Sequence, residues 1–172
     1  VDAYNIVGFI EGNDTNLKNE IIIIGAHYDH IGSAKKVGND SIANGANDNA
    51  AGASGVLEIA EYFASTKQNK RSILIALFSA EEKGLKGSQH LAKKLKADKI
   101  DLYTMLNLEM IGVPFTDRPY DALITGYELS NMSAKINEYT NSNLTGFSEV
   151  AKKYNLFKQS DKIETIIQDI LL

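Results

Sequence analysis

Histidine and carboxylate side chains occur at a few separate points of the sequence, and these residues could do chemistry. His27 follows an apolar run, and Asp48 closes a polar segment just before a helical pattern begins. The pair Glu81 and Glu82 follows a second apolar run, and Glu109 follows a third. Imidazole and carboxylate groups bind zinc and other divalent ions. Because the chain contains no cysteine, any transition metal must be held by residues of these types.

Two further features, Asp29 and the adjacent pair Glu81 and Glu82, extend this interpretation. Asp29 lies two residues after His27 and points the same way on an extended chain, so its carboxylate can accept the second ring N–H of the imidazole. Glu81 and Glu82 are adjacent and cannot both comfortably ligate one metal ion. One of them can ligate while the other faces the attacking water as a general base.

The elements that must position these residues are strands alternating with helices. Apolar, β-branched or partly alternating runs predict five strands, at Tyr4–Gly12, Glu20–His27, Ser72–Ser79, Tyr103–Leu108 and Tyr120–Thr125. Helical patterns are found at Asn49–Ser65, from Gly84 to about Lys96, at Glu128–Tyr139 and at Lys162–Leu171. We therefore expect an α/β fold of three layers, in which a mixed, largely parallel sheet is flanked by helices.

Two local expectations accompany this fold. The first helix should pack through one apolar stripe, formed by Ala53, Val56, Leu57, Ala60, Phe63 and Ala64. The segment Ile31–Asn47 is rich in glycine, asparagine, serine and lysine and is expected to be a long irregular loop.

The predicted sheet brings the candidate residues to one edge, because ligands of open α/β sheets bind beyond the carboxyl ends of the strands. Each residue also has a purely structural interpretation. His27 could be a structural histidine at a strand end, with its hydrogen bonds made, and Asp48 could cap the following helix. The two glutamates could stabilise the N-terminus of the following helix through the helix dipole. Glu109 could be a solvated carboxylate at a strand end. Such residues at four separate places in the chain, all brought to one edge, favour a metal site over four coincidences.

Length and composition exclude several classes of protein. With 172 residues, the chain is predicted to form a single domain, 1–172. The 22 acidic residues exceed the 18 basic ones, and a net charge of −4 argues against nucleic-acid binding. No apolar run is long enough for a membrane span. The sequence starts at Val1 without the charged and apolar regions of a signal peptide, so we expect none in this chain.

Four motifs together resemble those of the zinc-dependent aminopeptidases, a family of co-catalytic dizinc exopeptidases. They occur in the family's order at Gly25–Asp29, Gly45–Gly52, Ser79–Ser88 and Asn107–Gly112. The resemblance covers most of the chain and implies the zinc-exopeptidase fold. It also implies hydrolysis of N-terminal residues from peptides that have a free N-terminus.

The resemblance further implies a role for each candidate residue. His27 and Glu109 would ligate a first zinc ion, Asp48 would bridge two zinc ions, and Glu82 would ligate the second. Glu81 would be the general base. Asp29 would orient His27, and the peptide bond after Asp48 would be cis, as in many relatives.

The sequence departs from the family pattern in two ways. The family usually has aspartate where this chain has Glu109, which has a longer side chain. The second zinc site also lacks its last histidine, since His30 and His90 do not fit that role. The segment that carries this histidine in relatives is absent between Asp161 and Lys162. It could be a disordered segment omitted from the sequence, a result of shortening, or a natural loss.

Two alternatives stay open. One, which the missing histidine favours, is a catalytically impaired or receptor-like binding domain of the same fold. The other is a single-zinc enzyme similar to glutaminyl cyclases, which lack the first-site histidine that this chain retains as His27. By resemblance, the protein is expected to be secreted or periplasmic. The preferred N-terminal residue and the oligomeric state are not determined by the sequence.

Overall fold

The structure is a computed structural model that describes residues 2–114, 116, 119, 122–129, 131–140 and 144–146. Its strands are β1 (Ile6–Ile10), β2 (Ile21–His27), β3 (Ser33–Val37), β4 (Asp40–Ile42), β5 (Ser72–Phe78), β6 (Leu102–Asn107), β7 (Ala122–Ile124) and β8 (Leu144–Gly146). Its helices are α1 (Ala51–Thr66), α2 (Lys86–Ala97) and α3 (Met132–Thr140). The described residues fall into two compact units, one that ends at Gly112 and one that begins at Val113.

The first unit is built on a four-stranded sheet in the order β1-β5-β2-β6. Strand β2 pairs in parallel with both β5 and β6, whereas β1 pairs antiparallel with β5 at one edge. Strands β2 and β5 are long apolar runs without polar alternation, a pattern typical of strands covered on both faces, and both are largely buried. The carboxyl ends of β2, β5 and β6 therefore lie at the same edge.

Helices cover both faces of this sheet. Ile24 of β2 packs in one buried cluster with Val56 of α1, and Ile23 packs in a second cluster with Leu91 of α2. Neighbouring residues of a strand point to opposite faces, so α1 and α2 lie on opposite sides of the sheet. This arrangement confirms the predicted three-layer α/β fold with a mixed, largely parallel sheet.

The prediction of an irregular loop over Ile31–Asn47 is wrong in part. Strands β3 and β4 form an antiparallel hairpin there, and all of their residues are exposed. The two strands are joined by a turn at Gly38 and Asn39, and Gly38 has φ +61°. A two-residue turn that contains such a glycine is a hairpin signal, but the flanking residues lack the apolar alternation that predicts strands.

The apolar stripe predicted for α1 is also partly wrong. Leu57 is 55% exposed and Ala64 is exposed, whereas Ile59 packs against the core beside Phe63. The buried face is centred on Val56, which is fully buried. The helix is thus rotated about its axis relative to the prediction, because packing against the sheet selects one of two overlapping apolar faces.

The second unit contains β7 and β8, which pair in parallel, and α3. Within the described part of the fifth predicted strand, β7 covers Ala122–Ile124, and Thr125 lies in a turn. Glu128 lies in a short 3₁₀ turn, Tyr127–Leu129, and α3 begins after it at Met132. The predicted helix Lys162–Leu171 and the junction between Asp161 and Lys162 lie outside the described residues. None of the described helices is both long enough and apolar enough to cross a membrane.

Candidate metal centre

His27 is the centre of the site and comes from the last position of β2. Its side chain is 2% exposed. The Nε2 atom lies 3.0 Å from Asp48 Oδ1 and 3.1 Å from Glu109 Oε1. A buried imidazole nitrogen therefore faces two carboxylate oxygens that come from distant parts of the sequence.

Asp48 and Glu109 reach His27 from two other elements. Asp48 lies in the irregular turn Ala46–Ala50 that leads into α1, and the Asp48–Asn49 peptide bond is cis, as expected. Glu109 follows β6 at the next position but one. One donor atom from each of the three residues lies within 4.8 Å of the other two.

This donor set fits a zinc ion. An imidazole nitrogen and two carboxylate oxygens are ligands that zinc accepts. The side chains of Asp48 and Glu109 are 47% and 41% exposed, which leaves the cluster open to solvent and to a substrate. The three residues can therefore hold one divalent ion and leave coordination positions for other groups.

Asp29 makes different contacts from those predicted. Its backbone carbonyl lies 3.1 Å from His27 Nδ1, whereas its Oδ1 atom lies farther from Nδ1, at 3.5 Å. The carboxylate accepts the backbone N–H groups of Glu81 at 2.9 Å and of Glu82 at 3.1 Å. Asp29 thus orients the imidazole mainly through its carbonyl, and its carboxylate holds the segment that carries the two glutamates.

Glu81 and Glu82 lie in a tight turn after β5. Ala80 has φ +53°, and the N–H groups of Gly84 and Leu85 both donate to the Glu81 carbonyl. Glu82 is not one of the three residues whose donor atoms converge. Its Oε1 atom is nevertheless buried, and it has no hydrogen-bond partner among the described residues. A buried, unpaired carboxylate oxygen of this kind is available to a cation.

Burial and charge shift three pKa values in the site. Burial lowers the pKa of His27, but the charge and hydrogen bond of Glu109 and the charge of Glu81 outweigh it and raise the pKa. Burial raises the pKa of Glu81; His27 opposes this shift, and the charges of Glu109, Glu82 and Asp29 add to it. Burial also raises the pKa of Glu109 against the opposing effect of His27.

Asn49 is a functional candidate that the sequence reasoning missed. Its side chain is buried and bonds to the backbone of the segment that carries Glu109. Asn47, on the other side of Asp48, accepts the N–H of Gly112. The signal that could have found them is the triplet Asn47-Asp48-Asn49, in which two amides flank the candidate ligand.

Comparison with known proteins identifies a family and several relatives. Residues 5–170 match the profile of peptidase family M28. A probable zinc metalloprotease of Pyrenophora tritici-repentis is 35% identical over 112 residues, which are 65% of this chain and 25% of that protein. Leucine aminopeptidase 2 of Trichophyton rubrum is 30% identical over 132 residues, which are 74% of this chain and 24% of that protein. The chain spans about a quarter of the length of these curated relatives.

Solved structures with the same fold include two aminopeptidases. The LapA aminopeptidase of Legionella pneumophila is 25% identical with a TM-score of 0.61, over 83% of this chain and 41% of that chain. The zinc aminopeptidase BSAP of Bacillus subtilis is 27% identical with a TM-score of 0.61, over 83% of this chain and 34% of that chain.

Proposed function

The chain belongs to peptidase family M28, and from this premise we propose that the protein is a zinc-dependent aminopeptidase that removes N-terminal residues from peptides. The observation that carries the proposal is the convergence of His27, Asp48 and Glu109, whose donor atoms lie within 4.8 Å of one another. The names of the zinc metalloprotease and leucine aminopeptidase relatives support it. Secretion or a periplasmic location remains a prediction from the family resemblance.

His27, Asp48 and Glu109 would hold the first zinc ion in this proposal. Asp48 would also contact a second ion together with Glu82, whose buried Oε1 atom has no hydrogen-bond partner in the described part of the chain. Bound zinc supplies a Lewis acid that polarises the scissile carbonyl and acidifies water. Neither His30 nor His90 belongs to the donor group, so the last ligand of the second site stays unassigned.

Glu81 is the proposed general base. Its raised pKa, caused first by burial, brings its proton affinity closer to that needed for catalysis near neutral pH. Glu81 accepts a proton from the attacking water, and the oxygen of this water forms the new bond to the scissile carbonyl carbon. The glutamate then gives the proton to the leaving amine as the C–N bond breaks, which restores its carboxylate.

Asp29 has a positioning role in this mechanism. Its carboxylate holds the backbone N–H groups of Glu81 and Glu82, and its carbonyl faces His27 Nδ1. With the Nδ1 proton directed to this carbonyl, the Nε2 lone pair points to the two carboxylates and is free to bind a cation. One residue therefore orients both the base and a ligand.

The experiment that tests the proposal follows the release of a chromophore from aminoacyl substrates with zinc and with a chelator. We expect activity that the chelator abolishes and zinc restores. Glu81→Gln should lower turnover by about 10²–10⁴-fold while zinc affinity stays within about threefold, because the variant removes the base and leaves the ligands. The matched control is Glu58→Gln, which changes an exposed glutamate of α1 and should leave turnover unchanged.

Three results would count against the proposal. Turnover that the chelator does not affect would exclude the metal-dependent mechanism. Tight zinc binding without turnover of any aminoacyl substrate would support the receptor-like alternative. Cyclisation of N-terminal glutamine without release of amino acids would support the cyclase-like alternative.

A further inference from the structure

We propose that Asn47 and Asn49 are positioning residues that clamp the turn carrying Asp48 to the segment carrying Glu109, and thereby set the affinity of the site for its metal ion. The inference rests on the proposed function, since it assumes that His27, Asp48 and Glu109 bind the ion. It concerns two neutral amides that make no contact with His27 among the described hydrogen bonds.

Asn49 provides the buried part of this clamp. The residue is 3% exposed. Its Nδ2 group donates to the Leu108 carbonyl at 2.9 Å and lies 3.4 Å from Glu109 Oε2. Its Oδ1 atom accepts the N–H groups of Gly52 at 3.1 Å and of Met110 at 3.2 Å. A primary amide has two N–H donors and two acceptor sites, so these four contacts match its full hydrogen-bonding capacity.

The contact with Glu109 explains why this amide matters to the metal. Oε1 of Glu109 faces His27 Nε2 at 3.1 Å, while Oε2 faces Asn49. A glutamate has one more rotatable bond than an aspartate, so its carboxylate must be restrained if it is to stay beside the imidazole. Asn49 contributes to that restraint, beside a hydrogen bond from the Asn107 side chain, as hydrogen bonds to ligating carboxylates do in metal sites.

Asn47 provides the second, more exposed part of the clamp. Its Oδ1 atom accepts the Gly112 N–H at 2.9 Å. Asp48 is therefore flanked on both sides by amides that reach the same segment, residues 108–112. The two segments also approach closely, because a Cβ atom at Gly52 would collide with the Asn49 amide and the Leu108 carbonyl. The Asp48 and Glu109 carboxylates therefore have little freedom to move apart.

A simpler interpretation is that Asn49 only satisfies the first turn of α1 through the Gly52 N–H. The variant Asn49→Ser separates the two roles. Serine oxygens also accept N–H groups at helix N-termini, but the short side chain cannot reach the Leu108 carbonyl or Glu109. The first-turn bond is thus retained while the clamp is lost.

Two asparagines at the other end of the sheet are matched controls. Asn69 is 6% exposed, and its Nδ2 group donates to the carbonyls of Ile10, Glu11 and Arg71. Asn13 is exposed and donates to the Lys67 carbonyl at 2.8 Å. Both lie before the amino end of β5, whereas Glu81 follows its carboxyl end. Asn69→Ser and Asn13→Ala therefore remove comparable hydrogen bonds far from the site.

The experiment measures the zinc affinity of each chain by competition with a chromophoric chelator, and the melting temperature (Tm) of each metal-free chain. We expect Asn49→Ser to weaken zinc binding by about 10- to 100-fold and Asn47→Ala to weaken it by about threefold. The visible absorption bands of bound Co²⁺ should change in Asn49→Ser, because the coordination geometry relaxes. Asn69→Ser and Asn13→Ala should keep both the wild-type affinity and the wild-type Co²⁺ spectrum, even where the Tm falls.

The possible outcomes are distinct. Wild-type affinity in both Asn49→Ser and Asn47→Ala would overturn the inference and leave the proposed function intact. A loss of affinity as large in Asn69→Ser as in Asn49→Ser would also overturn it, since the effect would then be general destabilisation. If Asn49→Ser does not fold, the Asn47→Ala variant, at a half-buried position, still decides the question. If the wild-type chain binds no zinc, or His27→Ala binds it equally well, the proposed function itself fails.

Discussion

At the scale of single residues, the site concentrates negative charge around one buried imidazole. His27 Nε2 faces oxygens of both Asp48 and Glu109, and the charge of Glu81 also acts on the ring. Without a metal ion, a proton shared within this cluster neutralises part of the repulsion between the carboxylates. A zinc ion would take over this role, so protons and zinc compete for the same oxygens and nitrogen.

The same protons predict how pH affects the stability of the metal-free chain. The pKa values of His27, Glu81 and Glu109 are all raised, so the folded chain holds these protons more tightly than the unfolded chain does. Their stabilising contribution is complete below about pH 4 for the glutamates and about pH 6 for His27. It is lost as the pH rises through the raised pKa values.

We therefore expect the Tm of the chelator-treated chain to fall from about pH 5 to pH 8, and the affinity for zinc to rise over the same range. Thermal unfolding followed by circular dichroism at each pH measures the first effect. His27→Gln serves as the comparison, because it removes one of the groups that take up protons. If His27→Gln leaves the pH dependence of the Tm unchanged, His27 is not one of the groups that take up protons.

At the scale of elements, three segments carry the converging donors, and each segment is positioned in a different way. His27 is the last residue of β2, a strand that pairs with both β5 and β6, and it is itself paired with Phe78 of β5. Glu109 follows β6, and Asp48 precedes α1. The position of α1 against the carboxyl end of β6 therefore determines whether Asp48 and Glu109 meet, and Gly52 lies at this contact.

The variant Gly52→Ala tests this close approach. The added methyl group would collide with the packed Asn49 side chain and with the Leu108 carbonyl, which is part of the backbone. Neither group can move easily. We expect a loss of about 1–3 kcal/mol in the free energy of unfolding, typical of overpacking, measured by urea denaturation. Gly8→Ala is the control, because its added Cβ atom would meet nothing closer than 3.8 Å. Equal stability of the two variants would show that α1 can shift away without cost.

At the scale of the whole molecule, the candidate centre joins parts of the first unit that are distant in sequence. His27 and Glu109 are 82 residues apart in the sequence, so a cation bound between them links the end of β2 to the segment that follows the neighbouring strand β6. A ligand that binds only the folded state stabilises it according to its concentration and affinity. The metal ion is therefore expected to act on stability as well as on catalysis.

We predict that zinc at 100 times its Kd stabilises the chain by about 2.7 kcal/mol. The Tm should rise with zinc concentration and return to its metal-free value when a chelator is added in excess. His27→Ala should abolish the rise, while Asp40→Asn, which changes an exposed aspartate of β4, should leave it unchanged. A rise that persists in His27→Ala would mean that zinc acts at another place.

Sequence patterns were sufficient for features that depend on neighbours along the chain. The apolar runs of β2 and β5 predicted buried central strands, because a strand covered on both faces has no polar side to display. His27 and Glu109 stood out because a polar residue at the end of such a run lies at the rim of a sheet. The motif resemblance added the cis bond after Asp48, which no local pattern indicates.

Only the tertiary structure decided features that depend on which distant segments meet. The strand order, the rotation of α1 that exposes Leu57, and the contacts of the Asp29 carboxylate all follow from long-range packing. Asn49 is the clearest case, because its side-chain amide bonds to the Leu108 carbonyl and the Met110 N–H, which are 59 and 61 residues away in the sequence. The sequence alone thus determined which residue types stand at the ends of the elements. Hydrogen bonds between segments far apart in the chain determined how those residues are held, since such contacts leave no periodic trace in the sequence.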